Sequence, residues 1–522
     1  MSKKTVRYGS YVILAAGFIT VLYYILFKMQ FEYSILSADN MIDAIAAAET
    51  GTIVNRGFWY EYNMPFSASL IMTLLVKVLG PCFTVVKAGM AISFLILSFA
   101  VFILLKSLGL SIEENFLCLG GIQLILLGSE SLRVAVFSHT SYYTISVILT
   151  LIIHFFYIRK ESRIFKILMF FTIMIASVNG YHVVTMSVLA FMISIFVKWI
   201  CDRKGFKELK EEGSILLISG LAASLGLIIR RKAFGDISYE GMIGHFEAFE
   251  NWFFKEKSFL TQWITLFTGN IPEETNMMTP EGLFVMIHYL TGLVILILPV
   301  IALISYKNHK DERVKLFIIN YWVLFFVTIF TFSIGFEQKE NWRLSGLAVM
   351  ASIVSALELI YIIKGKITQA EIGVLLVSAI FIVCLINILI TVKFIKTDND
   401  KNTITSVLKE EGLYYGYASY HEYANALTVL TDSEIKVRPI ELGEDGSYRI
   451  ERRENQYSWY EGEPGMDEYF VILDKKEARD QKNNLVANAK RAIESEDKNV
   501  LILVFEGNIF AEGQALYYNI VE

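Results

Sequence analysis

Proline and cysteine are both scarce in this chain, whose 522 residues include 7 prolines and 4 cysteines. Because proline removes a backbone hydrogen bond from a helix interior, its scarcity allows long unbroken helices. No Cys-x-x-Cys motif occurs, and the cysteines lie in or beside apolar runs, at Cys82, Cys118, Cys201 and Cys384. The sequence therefore predicts neither a disulfide framework nor a zinc site.

A basic excess is also missing, since the formal net charge is −5, and nothing indicates a nucleic-acid partner. The chain is instead rich in apolar residues, which make up 54% of it. They form runs of roughly 20 residues between short charged loops, the length that crosses a hydrocarbon core of about 30 Å. We predict a mainly α-helical polytopic membrane protein with about eleven transmembrane helices. The predicted spans are Tyr8–Phe27, Phe83–Leu105, Asn115–Leu127, Ser141–Tyr157, Ile164–Val178, Tyr181–Ile200, Ser214–Ile229, Gly282–Tyr306, Lys315–Phe332, Leu344–Ile363 and Glu371–Val392.

Lysine and arginine are concentrated in alternate loops, and this asymmetry predicts the orientation of the chain. The basic loops and the N-terminus are placed in the cytoplasm, with the first span as an uncleaved anchor in the plasma membrane. Both ends of the chain fit the charge rule only if the short apolar run Met64–Leu79 does not cross. We therefore expect an extracytoplasmic loop at residues 28–82, with interfacial helices over Ala38–Glu49 and Pro65–Leu79. A second extracytoplasmic loop is expected at residues 231–281.

The region after the last predicted span has more charge and an alternating apolar pattern. Residues 1–396 are predicted to form the transmembrane domain, and residues 397–522 a small, soluble, extracytoplasmic α/β domain. The alternation predicts strands at Glu434–Ile440, Glu468–Asp474 and Val500–Phe505. A helix is expected over Ala478–Ser495.

Asp39 lies just after the first span, at the start of the expected helix Ala38–Glu49, and has two interpretations. Ser37 and Asp39 are both good N-cap residues, which gives the carboxylate a structural use. Charge beside a membrane is costly, however, and its presence favours a functional role. The aromatic residues that follow, Trp59, Tyr60 and Tyr62, fit either an interfacial belt or a platform for a sugar ring.

Several basic and polar residues are predicted on the extracytoplasmic side. Arg230, Arg231, Lys339 and Arg343 fit contacts with anionic headgroups or neighbouring acids, and they equally fit the capture of a phosphate. Further candidate substrate-binding residues are predicted in the same compartment: Glu130, Arg133, His139, Tyr181 and His182. No short cytoplasmic loop contains a nucleotide-binding motif, so an active site is expected on the outer side. Because free nucleotides are not expected there, an activated donor would be lipid-linked.

In this arrangement the chain resembles the GT-C superfamily of polytopic membrane glycosyltransferases, which includes protein O-mannosyltransferases and aminoarabinose transferases. Five features carry the resemblance. Four of them are Ser37-Ala38-Asp39-Asn40, the Gly51 to Tyr62 stretch, Val78-Leu79-Gly80 with the following Val85-Val86-Lys87-Ala88, and Asn341-Trp342-Arg343-Leu344. The tail segments from Gly412 and Glu434 resemble those of uncharacterised bacterial members. Asp39 is followed by Asn40, and Pro65 by Phe66, where better-known members often carry a second acid or a second proline.

The resemblance implies transfer of a sugar from a polyprenyl-phosphate donor to an extracytoplasmic acceptor, which is a cell-envelope glycan, a lipid or a protein. Asp39 would be the general base of an inverting displacement. Arg343, with Arg230, Arg231 and Lys339, would bind the donor phosphate. The family's metal requirement stays open for this chain, with Mg²⁺ or Mn²⁺ as the candidate cation and no other cofactor expected.

Two other function classes remain open at this point. One is a transporter or flippase for lipid-linked glycans, for which Glu358 is the clearest mid-span charge. The other is a non-catalytic assembly subunit with the same architecture. A related ligase or polymerase with a diphosphate donor would differ in the donor alone. If the chain is a transferase, the loop with His245, Trp252 and Trp263 is predicted to close over the site.

Overall fold

The chain, described here from a computed structural model, divides into two compact units. The first comprises Met1–Met29 and Ala91–Ile395, and the second comprises Gln30–Met90 and Lys396–Glu522. The structure describes residues 3–29, 35–60, 65–138, 144–202, 206–234, 249–269, 276, 278–334, 344–366, 385–386, 388–389, 400–419, 423–442, 448–451, 455–479, 484–495, 500–511 and 520–521.

Helices dominate the described residues up to position 366. In chain order they are α1 (Lys3–Tyr23), α2 (Ile35–Glu49), α3 (Ser69–Leu79), α4 (Phe83–Ser107), α5 (Ile112–Leu126), α6 (Glu130–Arg133), α7 (Ile145–Ile158), α8 (Arg163–Val178), α9 (Tyr181–Val183), α10 (Ala190–Cys201), α11 (Phe206–Phe234), α12 (Phe249–Thr268), α13 (Pro280–Ile304), α14 (Glu312–Ile334) and α15 (Ser345–Lys366). Short π-helical turns extend α1 and α6, at Tyr24–Lys28 and Val134–Ser138. A third, Val184–Leu189, joins α9 to α10.

Seven helices in the described residues are long and apolar enough to cross a membrane. They are Arg7–Lys28, Phe83–Ser107, Tyr181–Cys201, Glu212–Phe234, Gly282–Ile304, Glu312–Ser333 and Ser345–Ile362. An eighth is obtained if α5 and α6, which are bent by 112° relative to each other, form one broken span. The structure is therefore that of a mainly helical membrane protein, and all seven helices coincide with predicted spans.

The predicted total of eleven spans is not confirmed. Helices α7 and α8 contain 14 and 16 residues, fewer than the roughly 20 that cross a hydrocarbon core without local thinning of the bilayer. The predicted span Glu371–Val392 lies almost entirely outside the described residues.

Glycines allow the closest contacts between helices of the first unit. A β-carbon on Gly120 of α5 would lie 2.6 Å from the carbonyl oxygen of Ile13 in α1. A β-carbon on Gly226 of α11 would lie 2.4 Å from the carbonyl oxygen of Met174 in α8. Lipid tails are as apolar as the side chains, so association of helices in a membrane depends on such close backbone packing.

The second unit contains α2, α3 and a seven-stranded C-terminal sheet. Its strands are β1 (Tyr415–Ser419), β2 (Lys436–Leu442), β3 (Tyr448–Ile450), β4 (Glu468–Asp474), β5 (Arg491–Ser495), β6 (Val500–Glu506) and β7 (Ile520–Val521), in the order β5-β6-β4-β1-β2-β3-β7. Four helices accompany them: α16 (Asp400–Glu410), α17 (Ala424–Leu430), α18 (Lys475–Ala478) and α19 (Asn484–Asn488). The central strands β4, β1 and β2 are parallel, and β3, β5 and β6 pair antiparallel with β2, β6 and β4 respectively.

The two faces of this sheet differ in chemistry because side chains alternate along each strand. One face packs Ala418, Val437 and Phe470 against Leu408 of α16 and Leu427 of α17 in an apolar core. The opposite face carries large polar side chains that are also buried: Tyr415, Tyr417 and Arg438. In the register of the sheet, Tyr417 pairs with Arg438.

Most predicted elements of the second unit occur close to their expected positions. Helix α2 ends at the predicted residue and begins three residues earlier than predicted, α3 lies within the predicted Pro65–Leu79, and β4 has the predicted bounds. The helix predicted over Ala478–Ser495 is wrong, because Arg491–Ser495 forms β5 and pairs antiparallel with β6. The ladder hydrogen bonds offered by an available strand outweigh a weak local helical preference.

Candidate functional site

The candidate site residues are distributed over both compact units. Asp39, Trp59, Tyr60 and Tyr62 belong to the second unit, and the remaining candidates belong to the first. The residues Tyr62, His139, His245, Lys339 and Arg343, and the side chain of Asp39, lie outside the part of the chain that the structure describes.

Helix α2 carries Asp39 in its second turn. The helix begins at Ile35, so Asp39 is an interior residue of the helix and does not occupy the N-cap position. Its alanine-rich sequence favours a helix, and its residues from Met41 to Ala47 are all buried. The burial fixes this helix among its neighbours in the second unit.

Asp43 is a second acid of α2, one helical turn after Asp39, and the sequence analysis missed it. It is only 7% exposed, and among the described residues its Oδ1 has no hydrogen-bond partner. Burial raises the pKa of the Asp43 carboxyl to about 7, against hydrogen bonds from Ser69 and the backbone that lower it. The four-residue spacing between the two aspartates was the available signal, since residues i and i+4 lie on one face of a helix.

The aromatic segment after α2 packs against C-terminal residues of the same unit. The backbone N–H of Trp59 donates to the carbonyl oxygen of Asn455 at 2.7 Å. The hydroxyl of Tyr60 accepts from the backbone N–H of Asn55 at 3.1 Å, and its ring lies edge-on to Phe58. Tyr60 is thus buried in the described structure, whereas Trp59 is half-buried and retains some exposed ring surface.

Among the described candidates of the first unit, Arg133 is the most deeply buried cation. It lies at the end of α6, which Ser129 caps by accepting from the backbone N–H of Leu132 at 3.1 Å. The side chain is 2% exposed, donates to the carbonyl oxygen of Leu127 at 3.4 Å, and lies 5.9 Å from the ring centroid of Tyr24. Glu130, in the first turn of α6, is exposed.

Arg230 and Tyr181 are brought together in the first unit. The guanidinium carbon of Arg230 lies 5.0 Å from the ring centroid of Tyr181, a cation–π geometry. Tyr181 is 65% exposed, Arg231 is exposed and His182 is half-buried. This group therefore presents cationic and aromatic side chains to the surroundings of the helical unit.

The segment predicted to close over a site contains a helix, α12. Trp263 of α12 is buried and packs edge-on against Phe267 and Phe325. Trp252 is half-buried near the start of the same helix. Trp263 therefore contributes to the packing of the first unit, which argues against a mobile role for this part of the segment.

Glu358, the mid-span acid of the transporter alternative, has partners within the helical unit. It is buried, its Oε1 accepts from the hydroxyl of Ser305 at 2.9 Å, and its Oε2 lies 3.0 Å from Nε2 of His309. These contacts give the acid a structural use, because a buried charge is tolerated where it is paired.

The described residues contain no group of three or more His, Cys, Asp and Glu side chains arranged to hold a metal ion. The carboxyl group of Asp43 forms a hydrogen bond with the side chain of Ser69 on α3.

The sequence was also compared with known proteins. No protein-family model matches the chain, and no curated protein matches it.

Proposed function

We propose that the chain is a membrane glycosyltransferase that moves a sugar from a polyprenyl-phosphate donor to an extracytoplasmic acceptor. In this proposal it crosses the plasma membrane about eleven times, with the N-terminus in the cytoplasm. The second compact unit is extracytoplasmic. The acceptor belongs to the cell envelope and is a glycan, a lipid or a protein.

The observation that carries this proposal is the pair of acids on α2. Known members of the GT-C superfamily often have two acids after the first span, and Asn40 breaks that pattern in the sequence. Asp43 supplies a second carboxyl one turn later, and its pKa of about 7 is that of a group able to exchange protons at physiological pH. A buried acid with an unpaired oxygen is costly to maintain, which favours function over a role in packing alone.

A buried arginine in the helical unit supports the same proposal. Arg133 is 2% exposed, and a guanidinium has a geometry that fits a phosphate. Half-buried Arg230, beside the exposed ring of Tyr181, adds a second cation. Rings of this kind also pack against the apolar faces of sugars.

The proposed reaction is one direct displacement. Asp39 accepts the proton of the acceptor hydroxyl while that oxygen attacks the anomeric carbon. The bond between the anomeric carbon and the phosphate oxygen breaks, and its electron pair leaves with the polyprenyl phosphate. Arg343, with Arg230, Arg231 and Lys339, binds that phosphate and stabilises its charge. A single displacement inverts the configuration at the anomeric carbon.

The test is transfer of radiolabelled sugar from a polyprenyl-phosphate donor in proteoliposomes that contain the full chain. Asp39→Asn should reduce transfer at least about 100-fold, the usual contribution of a general base. Asp467→Asn, which alters an exposed acid of the same unit, should leave transfer unchanged. Undiminished transfer by Asp39→Asn would remove Asp39 from the mechanism. Movement of the intact donor across the bilayer without transfer would favour a flippase.

A further inference from the structure

Glu49 is an acidic residue at the carboxyl end of α2, where the helix dipole disfavours negative charge. It is the last residue of α2, where the backbone carbonyls already concentrate negative charge, and the last turn of α2 contains no basic residue. An acid in this position destabilises its own helix unless another part of the protein compensates it. The compensating groups come from the C-terminal residues of the same unit.

Both carboxylate oxygens of Glu49 have partners there. Oε1 lies 3.6 Å from Nη2 of Arg438 on β2. Oε2 accepts a hydrogen bond from the indole Nε1 of Trp459 at 2.7 Å and another from Nε2 of Gln456 at 3.4 Å. One carboxylate thus joins the end of α2 to three side chains that lie about 400 positions later in the chain.

Arg438 is a buried cation on β2 whose carboxylate partner is Glu49. Its side chain is 2% exposed, and among the described residues Nε and Nη1 have no hydrogen-bond partner. Its guanidinium carbon lies 3.8 Å from the ring centroid of Trp459 and 5.7 Å from that of Tyr415. A buried cation needs a counter-charge, and the carboxylate of Glu49 supplies it.

Nearby contacts hold the chain that leaves α2 on the same surface. Asn55 donates from Nδ2 to Oε1 of Gln456 at 2.6 Å, and Trp59 forms an isolated β-bridge with Asn455. The end of α2 and the segment that follows it are therefore attached at several points, with the Glu49–Arg438 pair as the charged one.

We infer that Glu49 and Arg438 are positioning residues, which hold the carboxyl end of α2 and thereby set the placement of the helix that carries Asp39 and Asp43. The inference rests on the proposed function in that Asp39 is the general base of the reaction. In it, the C-terminal region contributes to catalysis by fixing the acid-bearing helix, independently of any role in recognising the acceptor. Neither residue touches the substrate.

Hydrogen exchange measured by mass spectrometry on the full chain in nanodiscs tests the placement directly. Glu49→Gln keeps an acceptor for Trp459 and removes the charge that faces Arg438. Arg438→Met removes the guanidinium and keeps much of the apolar stem. Amide exchange in the peptide covering α2 should increase about tenfold in each variant, the factor expected for loss of one charge-assisted contact.

Lys436→Met is the matched control. Lys436 lies two residues before Arg438 on β2, and its ammonium contacts Glu463 at 2.8 Å. It should leave exchange in α2 unchanged. Exchange in α2 that is equal in Glu49→Gln, Lys436→Met and the wild type would overturn the inference, even if Arg438→Met failed to fold.

Transfer kinetics separate positioning from general stability. In folded Glu49→Gln protein, kcat should fall while KM for the donor stays close to the wild-type value, because misplaced acids impair the chemical step. Unchanged kcat together with faster exchange would also contradict a positioning role in the reaction. A wild-type protein without transfer activity would refute the proposed function, and the exchange data would still decide whether the pair holds α2.

Discussion

The ionisation of Asp43 affects the stability of the second unit. Its pKa is raised from 3.8 to about 7 because the folded chain removes the carboxylate from water. In the unfolded chain the group ionises near pH 4. Between these two values the folded state retains a proton that the unfolded state has lost.

The free energy of local unfolding of α2 should therefore fall as the pH rises from about 4 to about 7, and should level off above 7. At about 1.4 kcal/mol per pH unit, the difference between the two pKa values corresponds to at most about 4 kcal/mol. The measurement is hydrogen exchange of α2, corrected for the pH dependence of chemical exchange. Asp43→Asn should abolish this part of the pH dependence.

Asp467→Asn provides the comparison, since it removes an exposed acid from the same unit and should preserve the wild-type slope. A pH slope that survives in Asp43→Asn would assign the effect to other groups.

At the residue scale, the sequence allowed the acid-bearing helix to be recognised but not the burial of its side chains. Asp39 stands out because it follows a span, whereas only the four-residue spacing from Asp39 distinguishes Asp43 in the sequence. Its pKa is raised because folding buries the carboxyl, and the hydrogen bond with Ser69 of α3 offsets only part of that effect. Tyr60 illustrates the same limit, since only the fold shows that its ring packs on Phe58 and its hydroxyl bonds Asn55.

Among the helices, the contact between α1 and α5 depends on the absence of a side chain at Gly120. Gly120→Ala should destabilise the first unit by about 1–3 kcal/mol. The new methyl group would clash with the backbone of α1, which cannot rotate out of the way as a flexible side chain can. Gly220→Ala in α11 is the matched control, since a β-carbon there meets no atom within 4 Å. Thermal unfolding in one detergent compares the two. Equal midpoints for both variants would contradict close packing at Gly120.

Element prediction succeeded where the signal is local. Apolar runs of sufficient length predict the seven helices that are long enough to cross a membrane. In lipid an unpaired backbone group is costly, so such a run forms a helix regardless of the segments that pack against it. β5 was missed because its strand character comes from its pairing with β6. Helix α12 was missed because its face contains both charged residues and aromatics such as Trp263, which pack only in the folded unit.

At the scale of the whole molecule, the sequence did not predict that the second unit is formed by two distant segments of the chain, Gln30–Met90 and Lys396–Glu522. Local hydropathy separates the C-terminal region from the loop after the first span, yet residues of both regions pack together. The hydrogen bond between Asn55 and Gln456 joins positions separated by 401 residues. No local pattern encodes such a pairing. We therefore predict that α2, α3 and the C-terminal region lie on the same side of the membrane.

Two native cysteines can test the course of the chain through the membrane. Cys82 precedes α4 and is half-buried, and Cys201 ends α10 and is exposed. Between them, α4 and the helix Tyr181–Cys201 each have the length of a span. If α7 and α8 both cross, they return the chain to the side from which it started and do not change the relative positions of the two cysteines. Whether Cys82 and Cys201 lie on the same side then depends on whether α5 and α6 together cross the membrane. A broken span places the two cysteines on opposite sides, and a re-entrant loop places them on the same side.

We expect opposite sides, as the distribution of basic loops requires. In single-cysteine proteins, a membrane-impermeant maleimide applied to intact cells should label Cys82 and spare Cys201, and inverted vesicles should give the reverse. A cysteine introduced at the exposed position Glu461 should behave like Cys82, because both belong to the second unit. Labelling of Cys201 from outside would make α5 and α6 re-entrant. Labelling of Cys82 from the cytoplasm alone would place Asp39 and Asp43 on the side where a lipid-linked donor is not needed, and the proposed chemistry would fail with it.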